Sequence, residues 1–191
     1  QQALMRRNPY ARAALALVFA LLAARVVYLV FLCPYTLVDD EAHYWEWSRR
    51  LALSYYTKGP GIAWTIAAST RVIGDVEWGV RLPAAIASAV GALALARLAS
   101  EASEDRRAPL YAAAIFTLIP IHLALGLLMT IDGPYLACWA LGALFAHRAL
   151  VLDRPRAWAG AGLFLGVGFL FKYTILLLLL GVLLGALLTR A

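Results

Sequence analysis

The chain has 191 residues, 63% of them hydrophobic and only 15% charged, with a mean hydropathy of +0.77. Soluble domains carry about 25% charged residues, so the composition excludes an ordinary soluble domain and predicts an all-α integral membrane protein. The formal net charge of +6 does not point to nucleic acid, because the bases fall in short groups between apolar stretches and form no continuous basic face.

Arg6, Arg7 and Arg12 precede an apolar run from Ala13 to Cys33, close to the roughly 20 residues that cross a hydrocarbon core, which predicts a first span over 13–33. The run is long and no small-residue cleavage site follows, so it reads as an uncleaved anchor rather than a signal peptide. Arg25 lies inside it, where a bare charge is costly, and is expected to face other helices or to reach an interface. Cys33 at its end and Cys138 further on show no metal-ligand spacing and read as small buried side chains.

The segment 39–60, DDEAHYWEWSRRLALSYYTKGP, concentrates acids, bases and aromatics in an otherwise apolar chain. Its aromatics Tyr44, Trp45, Trp47, Tyr55 and Tyr56 read chiefly as interface anchors and packing, with sugar stacking the alternative, and His43 as an innocent loop histidine, with metal ligation or tuning of a neighbouring carboxylate the alternative. Next comes GPGIAWTIAASTRVIG (59–74), too short and too amphipathic to span. It predicts a helix lying in the interface, with Trp64 and Arg71 at the boundary. GDVEWGVRLP (74–83) reads as a turn, which makes 34–83 one long loop carrying amphipathic helices beside the membrane.

Further spans are predicted over 84–98, 110–128 and 135–150, separated by the polar loop SEASEDRRAP (100–109) and the short turn MTIDGP (129–134). The basic loop HRALVLDRPR (147–156) follows. A last apolar stretch, 157–188, is interrupted by Lys172. A lysine at the centre of one long helix carries an insertion cost of about 2.5–3.5 kcal/mol, so two helices, 157–171 and 174–188, are the preferred reading. Nine arginines, Arg6, Arg7, Arg12, Arg97, Arg106, Arg107, Arg148, Arg154 and Arg156, then fall on one side, which the positive-inside rule makes cytoplasmic. Segment 34–83, the 129–134 turn and Lys172 share the opposite face. The bases of that face, Arg49, Arg50, Lys58, Arg71 and Arg81, run against the rule, as expected of a charge network or an anion-binding loop.

Three separated segments thus bring carboxylates and lysines to one face: Asp39-Asp40-Glu41, Asp132 and Lys172. A carboxylate there can deprotonate a hydroxyl or amine, or coordinate a divalent cation, and a lysine can hold a phosphate as a point charge. The plain alternative is a loop whose acids and bases are solvated or paired with each other.

A family pattern appears at these residues. The run DEAHYWEWSRRLALSYYTKGPGIAWTIAASTRVIGDVEWGVRLPAAI (40–86) resembles the first outer loop of the bacterial glycosyltransferase family 39 group, the dolichyl-phosphate-mannose protein mannosyltransferase-like enzymes that include the aminoarabinose transferases. That pattern is an Asp-Glu pair, an aromatic-rich helix, an aromatic-x-Lys-Pro-Pro element, then Gly-Asp/Asn and Arg-Leu-Pro. MTIDGP and GFLFKYT (168–174) are similar to two later elements of the same family.

The resemblance implies a multi-span bundle of the GT-C type in a bacterial inner membrane. It also implies inverting transfer of a sugar from a polyprenyl-phosphate donor to a protein, lipid or glycan acceptor on the non-cytoplasmic side. By the same resemblance Asp40 is the catalytic carboxylate and Glu41 orients the loop or acceptor. Lys58 and Lys172 are donor-phosphate contacts, and Asp132 touches sugar, acceptor or a partner cation. Arg81 is either a substrate contact or the partner of Glu77 or Asp75 in an ion pair; Asp39 has no counterpart. The chain reads Thr57-Lys58-Gly59-Pro60 where many relatives have an acid before the lysine and two prolines after it. That removes one ligand from any metal site there, and Gly59 is expected to loosen the backbone that positions Lys58. No cofactor is assigned beyond a divalent cation compatible with the carboxylates.

The resembled enzymes continue through more helices, so the chain is expected to be the N-terminal part of a longer enzyme, inactive alone. A transporter or flippase subunit is the alternative, with Arg25, Lys58, Asp132 and Lys172 lining an ion or lipid pathway.

Overall fold

The computed structural model describes residues 8–190, with side chains through Leu188. Arg6 and Arg7 of the first basic group lie outside the described residues, as does the side chain of Arg190. Every regular element among the described residues is helical.

Helix α1 (Pro9–Val27) starts on Asn8, whose side chain accepts from the Tyr10 amide, and runs on as π-helix over Tyr28–Leu32. Helix α2 spans Asp39–Ser48, α3 Gly61–Ile73, α4 Glu77–Ala102, α5 Ala108–Leu118 and α6 Pro120–Leu125. Helix α7 spans Asp132–Leu150 and α8 Ala157–Phe169; a short 3-10 turn over Tyr173–Ile175 leads into α9, Leu176–Arg190. Two stretches, Pro9–Leu32 and Glu77–Ala102, are long and apolar enough to cross a membrane by themselves.

The segment 74–83 is not a turn throughout. The chain turns at Gly74, whose φ of 110° lies in the left-handed region that glycine tolerates, but α4 begins at Glu77 and carries Pro83 inside it. A proline there removes the amide that would bond the Gly79 carbonyl one turn back. The Ser69 hydroxyl supplies the missing donor at 2.6 Å from the Gly79 oxygen. The helix therefore passes through the proline, and α3 is stitched to α4 at the same point. Helix α3 buries Gly61, Ile62, Ala63, Ile66 and Ala67 on one face and leaves Trp64, Ala68, Arg71 and Val72 exposed on the other, the two-faced character its sequence predicts.

The apolar segment 110–128 breaks at Ile119, which is extended at φ −60°, ψ 133°. Proline at 120 excludes the helical conformation for the residue before it and opens a new first turn. The MTIDGP turn is shorter than its sequence indicates, since Asp132 already belongs to the first turn of α7. Lys172 sits in the break between α8 and the 3-10 turn, in extended conformation at φ −152°, ψ 126°.

The two ends of the bundle are fixed by different polar clusters. At one end Asn8 donates to the Arg106 carbonyl at 2.9 Å, and Glu101 at the foot of α4 accepts from Arg97 at 2.5 Å and Arg148 at 2.8 Å. At the other end Arg81 of α4 meets the chain just after the π-helix, at Cys33, Tyr35 and Thr36. Between them α4 packs through Ala84, Ser88, Gly91 and Ala92. At Gly91 a Cβ would lie 2.9 Å from the Phe116 ring and 3.4 Å from the Cα of Ala137. Small residues at such crossings let apolar helices approach closely without hydrophobic driving force between them.

Candidate active site

The residues that place the site are buried ones. Glu41 is fully enclosed and Arg81 is 2% exposed. The Arg81 Nε lies 3.0 and 3.1 Å from the two Glu41 carboxylate oxygens, and a terminal nitrogen donates to Oε2 at 2.7 Å. The other donors of the same guanidinium reach the Tyr35 carbonyl at 3.0 Å, the Thr36 carbonyl at 2.7 Å and the Cys33 sulfur at 3.3 Å. Glu41 in turn accepts the Val38 amide at 3.2 Å and the Met129 amide at 2.8 Å. One buried ion pair therefore joins the chain after α1, the start of α2, the first turns of α4 and the 129–131 turn. The partner of Arg81 is Glu41, not Glu77 or Asp75. Asp75 instead pairs with Arg49 and accepts from the Trp45 indole; the Arg49 bond, then the Trp45 bond, hold its carboxyl below the usual range.

A single apolar cluster underlies this frame. It contains Tyr44 of α2, Ile62 and Ile66 of α3, Val80 and Ala84 of α4, Met129, Ile131, Tyr135, Phe171 and Ile175. The segments that carry Asp40, Glu41, Arg81, Asp132 and Lys172 all contribute to it, and the Lys58 loop leads directly into α3, which does. On α2 the buried residues are Glu41, Tyr44 and Ser48, one face of a helix, so Asp40, one position round, is turned outward and exposed. Its carboxylate has no hydrogen-bond or ion-pair partner among the described residues. Tyr44, one turn on, is pushed above the ordinary tyrosine pKa first by burial and then by the charges of Asp40 and Asp132. Both carboxylates are thus electrostatic neighbours of one phenol.

Asp132 and Lys172 meet at 2.7 Å, each a little over one-third exposed. The Lys172 ammonium also stands 5.7 Å from the centre of the Tyr135 ring, and Tyr135 is fixed by the Thr174 hydroxyl at 3.0 Å.

Lys58 is placed by Tyr55. The Tyr55 ring stacks on Trp47 at 4.6 Å. Its hydroxyl accepts the Ala52 amide at 3.1 Å and lies 3.0 Å from the carbonyls of Trp47 and Arg50. Its own amide donates to the Lys58 carbonyl at 3.1 Å. The next residue, Gly59, does not loosen the backbone. A Cβ there would sit 2.3 Å from the Leu170 carbonyl oxygen, and the Gly61 amide donates to that same oxygen at 3.0 Å. Gly59 serves close approach, and it brings the Lys58 loop against the residues just before Lys172. The half-buried Lys58 has no hydrogen-bond or ion-pair partner for its ammonium among the described residues.

The candidate site is thus a set of two charges without partners among the described residues, Asp40 and Lys58, and one ion pair, Asp132–Lys172, at one end of the bundle. Sequence reasoning missed the Glu41–Arg81 pairing, the Met129 amide contact and the Tyr55 knot; Arg81 stands forty residues from Glu41 and carries no local signal of its partner. No group of three or more His, Cys, Asp or Glu side chains among the described residues is arranged to hold a metal ion.

Residues 57–191 match the profile of the family described as dolichyl-phosphate-mannose-protein mannosyltransferase. The chain belongs to that family. Lys58, Arg81, Asp132 and Lys172 fall inside the matched range, whereas Asp40 and Glu41 precede it. A lipid A galacturonosyltransferase, RgtD, of Rhizobium johnstonii is 34% identical over 173 residues, covering 89% of this chain and 36% of its own length. An undecaprenyl phosphate-alpha-4-amino-4-deoxy-L-arabinose arabinosyl transferase of Pectobacterium carotovorum is 29% identical over 150 residues, covering 70% of this chain and 27% of its own. A protein of the same description from Pectobacterium atrosepticum matches to the same extent. The chain spans about a third of the length of these curated relatives. No solved structure matches it.

Breaking a buried pair strands the remaining charge, which costs about 3–5 kcal/mol. Glu41→Met and Arg81→Met should each destabilise the detergent-solubilised protein on that scale. The double variant should lose clearly less than the sum. Chemical denaturation of the four proteins measures this, and strictly additive losses would show that the two side chains act independently.

Proposed function

We propose that this chain forms the donor-side part of a membrane glycosyltransferase that moves a sugar from a polyprenyl-phosphate to a hydroxyl or amine acceptor on the non-cytoplasmic face of a bacterial inner membrane. The observation that carries the reading is the gathering of Asp40, Lys58 and the Asp132–Lys172 pair at one end of the bundle, over one apolar cluster. Family membership and the donor in the arabinosyl transferase relatives' name support it.

In this mechanism the Asp40 carboxylate takes the acceptor proton as the acceptor oxygen or nitrogen attacks the anomeric carbon. The bond from that carbon to the phosphate oxygen breaks in the same displacement, so the configuration inverts, and the lipid phosphate leaves as an anion. Lys58 and Lys172 hold that phosphate. Asp132 occupies one of three ammonium donors on Lys172 and leaves two for phosphate oxygens, and it fixes the ammonium while the substrate enters. Glu41 and Arg81 act through the frame: they set where α2 and the 129–131 turn stand. The acceptor is a lipid, a glycan or a protein.

A multi-span bundle of the GT-C type is the corresponding membrane arrangement, with 34–76, 129–131 and Lys172 outside and the Glu101 cluster inside. Asp40, Lys58, Asp132 and Lys172 all lie at helix starts, loops or breaks. A transport pathway instead calls for charges along the middle of spanning helices, where Arg25 stands without them.

Cysteines introduced at the exposed Ser54 and Ser103 should react with an impermeant thiol reagent from opposite sides of the membrane. Labelling of both from one side would refute the arrangement.

In the intact protein, Asp40→Asn should lower turnover by about a hundredfold, the lower end of general-base loss, with donor binding retained. Lys58→Ala and Lys172→Ala should instead weaken donor binding. A labelled lipid-linked sugar reads both effects, and near-normal transfer by Asp40→Asn would remove it from the chemistry.

A further inference from the structure

Arg25 is used by none of this chemistry, and it is the most unusual charge in the fold. It lies seven residues before the end of the apolar stretch Pro9–Leu32 and is 6% exposed. Among the described residues no carboxylate pairs with it. One terminal nitrogen donates to the Ser88 hydroxyl of α4 at 2.7 Å, and the other lies 3.4 Å from the His122 carbonyl of α6. A buried charge without a counter-charge costs free energy that an apolar side chain of similar volume would not. Stability alone therefore does not account for an arginine there.

Its surroundings give it another role. The planar guanidinium lies against the backbone at Gly126, where a Cβ would come within 2.4 Å of the guanidinium carbon and 2.7 Å of two of its nitrogens. Gly126 opens the connection from α6 to α7, which runs through Met129 to Asp132. Along these few residues the chain is held at three points by charged side chains: Arg25 at Gly126, Glu41 on the Met129 amide at 2.8 Å, and Lys172 on Asp132 at 2.7 Å. Met129 and Ile131 are buried in the apolar cluster, which grips the far half of the connection, whereas the near half rests against Arg25 and the buried Thr130 hydroxyl oxygen has no partner among the described residues. A connection of this kind, without regular structure, keeps one conformation only if its anchors over-determine it.

We propose that Arg25 is a positioning residue for the second outer turn. Bridging α1, α4 and the end of α6 from below, it sets the height at which the 126–131 connection leaves the bundle, and so brings the Asp132 carboxylate to the Lys172 ammonium. The catalytic consequence rests on the reading of Asp132 and Lys172 as site residues; the placement itself does not.

The test exploits the pair it positions. In the intact protein in detergent, a carbodiimide activates the Asp132 carboxyl, and the Lys172 amine displaces the resulting urea. This leaves an internal amide one water lighter, detected as a cross-linked peptide by mass spectrometry. No transfer assay is involved, so the result stands even if the proposed chemistry fails.

Arg25→Met should reduce the yield of this cross-link by about fivefold, within the range that coupling residues exert on a distant element, while the thermal midpoint stays level or rises. Gly126→Ala, which keeps Arg25 but drives its guanidinium from its seat, should do the same. Wild-type yield in either folded variant would overturn the proposal. A fall in yield that merely tracks lost stability would also overturn it, as would failure of both variants to fold, since Arg25 would then be a stability residue alone.

Discussion

The buried pair of Glu41 and Arg81 is the interaction on which the rest of this end of the molecule depends. Taken out of water, two charges repay their desolvation only when geometry is good and every remaining donor and acceptor is used. Here the guanidinium spends its donors on a carboxylate, two carbonyls and a sulfur, and the carboxylate receives two backbone amides besides. Four stretches of chain that sequence separates widely are thereby held to one point. Removing the pair would strip the buried Met129 amide of its acceptor and free the carbonyls of Tyr35 and Thr36 from the guanidinium that ties them to α4.

That anchor explains how adjacent residues, Asp40 and Glu41, come to opposite fates. With Glu41 and Tyr44 locked inward, the helical repeat of α2 turns Asp40 out, and its charge, like that of Asp132, bears on the Tyr44 phenol. The opposite end is built on a related plan, with Glu101 gathering Arg97 and Arg148, but those charges only tie α4 to α7. The difference lies in what is left over. The end built on Glu41 and Arg81 retains an acid and a lysine with no partner among the described residues, and partnerless opposite charges set in a rigid frame suit the proposed substrate, with a proton to lose and a phosphate to release.

Much of this was legible in the residues, and the misses have specific causes. The amphipathic helix over 61–73, the break at Lys172 and the shared neighbourhood of Asp132 and Lys172 follow from periodicity and from the cost of a lysine in an apolar stretch. The family is carried by the Asp-Glu, Lys-x-Pro and Arg-Leu-Pro elements and agrees with the profile match. Pro83 misled, because a proline reads as a helix stop unless another group serves the freed carbonyl, and Ser69 is fourteen residues away. Gly59 reads as loose for a similar reason: its need for closeness is imposed by the Leu170 backbone, over a hundred residues on. The partner of Arg81 was misread because nearby acids, Asp75 and Glu77, compete on paper with a distant one that burial selects.

The central claim, that the Lys58 loop and the Lys172 break form one phosphate site at one end of the bundle, is tested most directly by a photoactivatable polyprenyl-phosphate applied to the intact protein in detergent. Mapping the labelled peptides should find the probe on residues 55–60 and on 170–174, displaced from both by unlabelled polyprenyl phosphate, with 101–107 unlabelled. Labelling at the Glu101 end, or labelling of either segment that excess unlabelled lipid does not displace, would contradict the account.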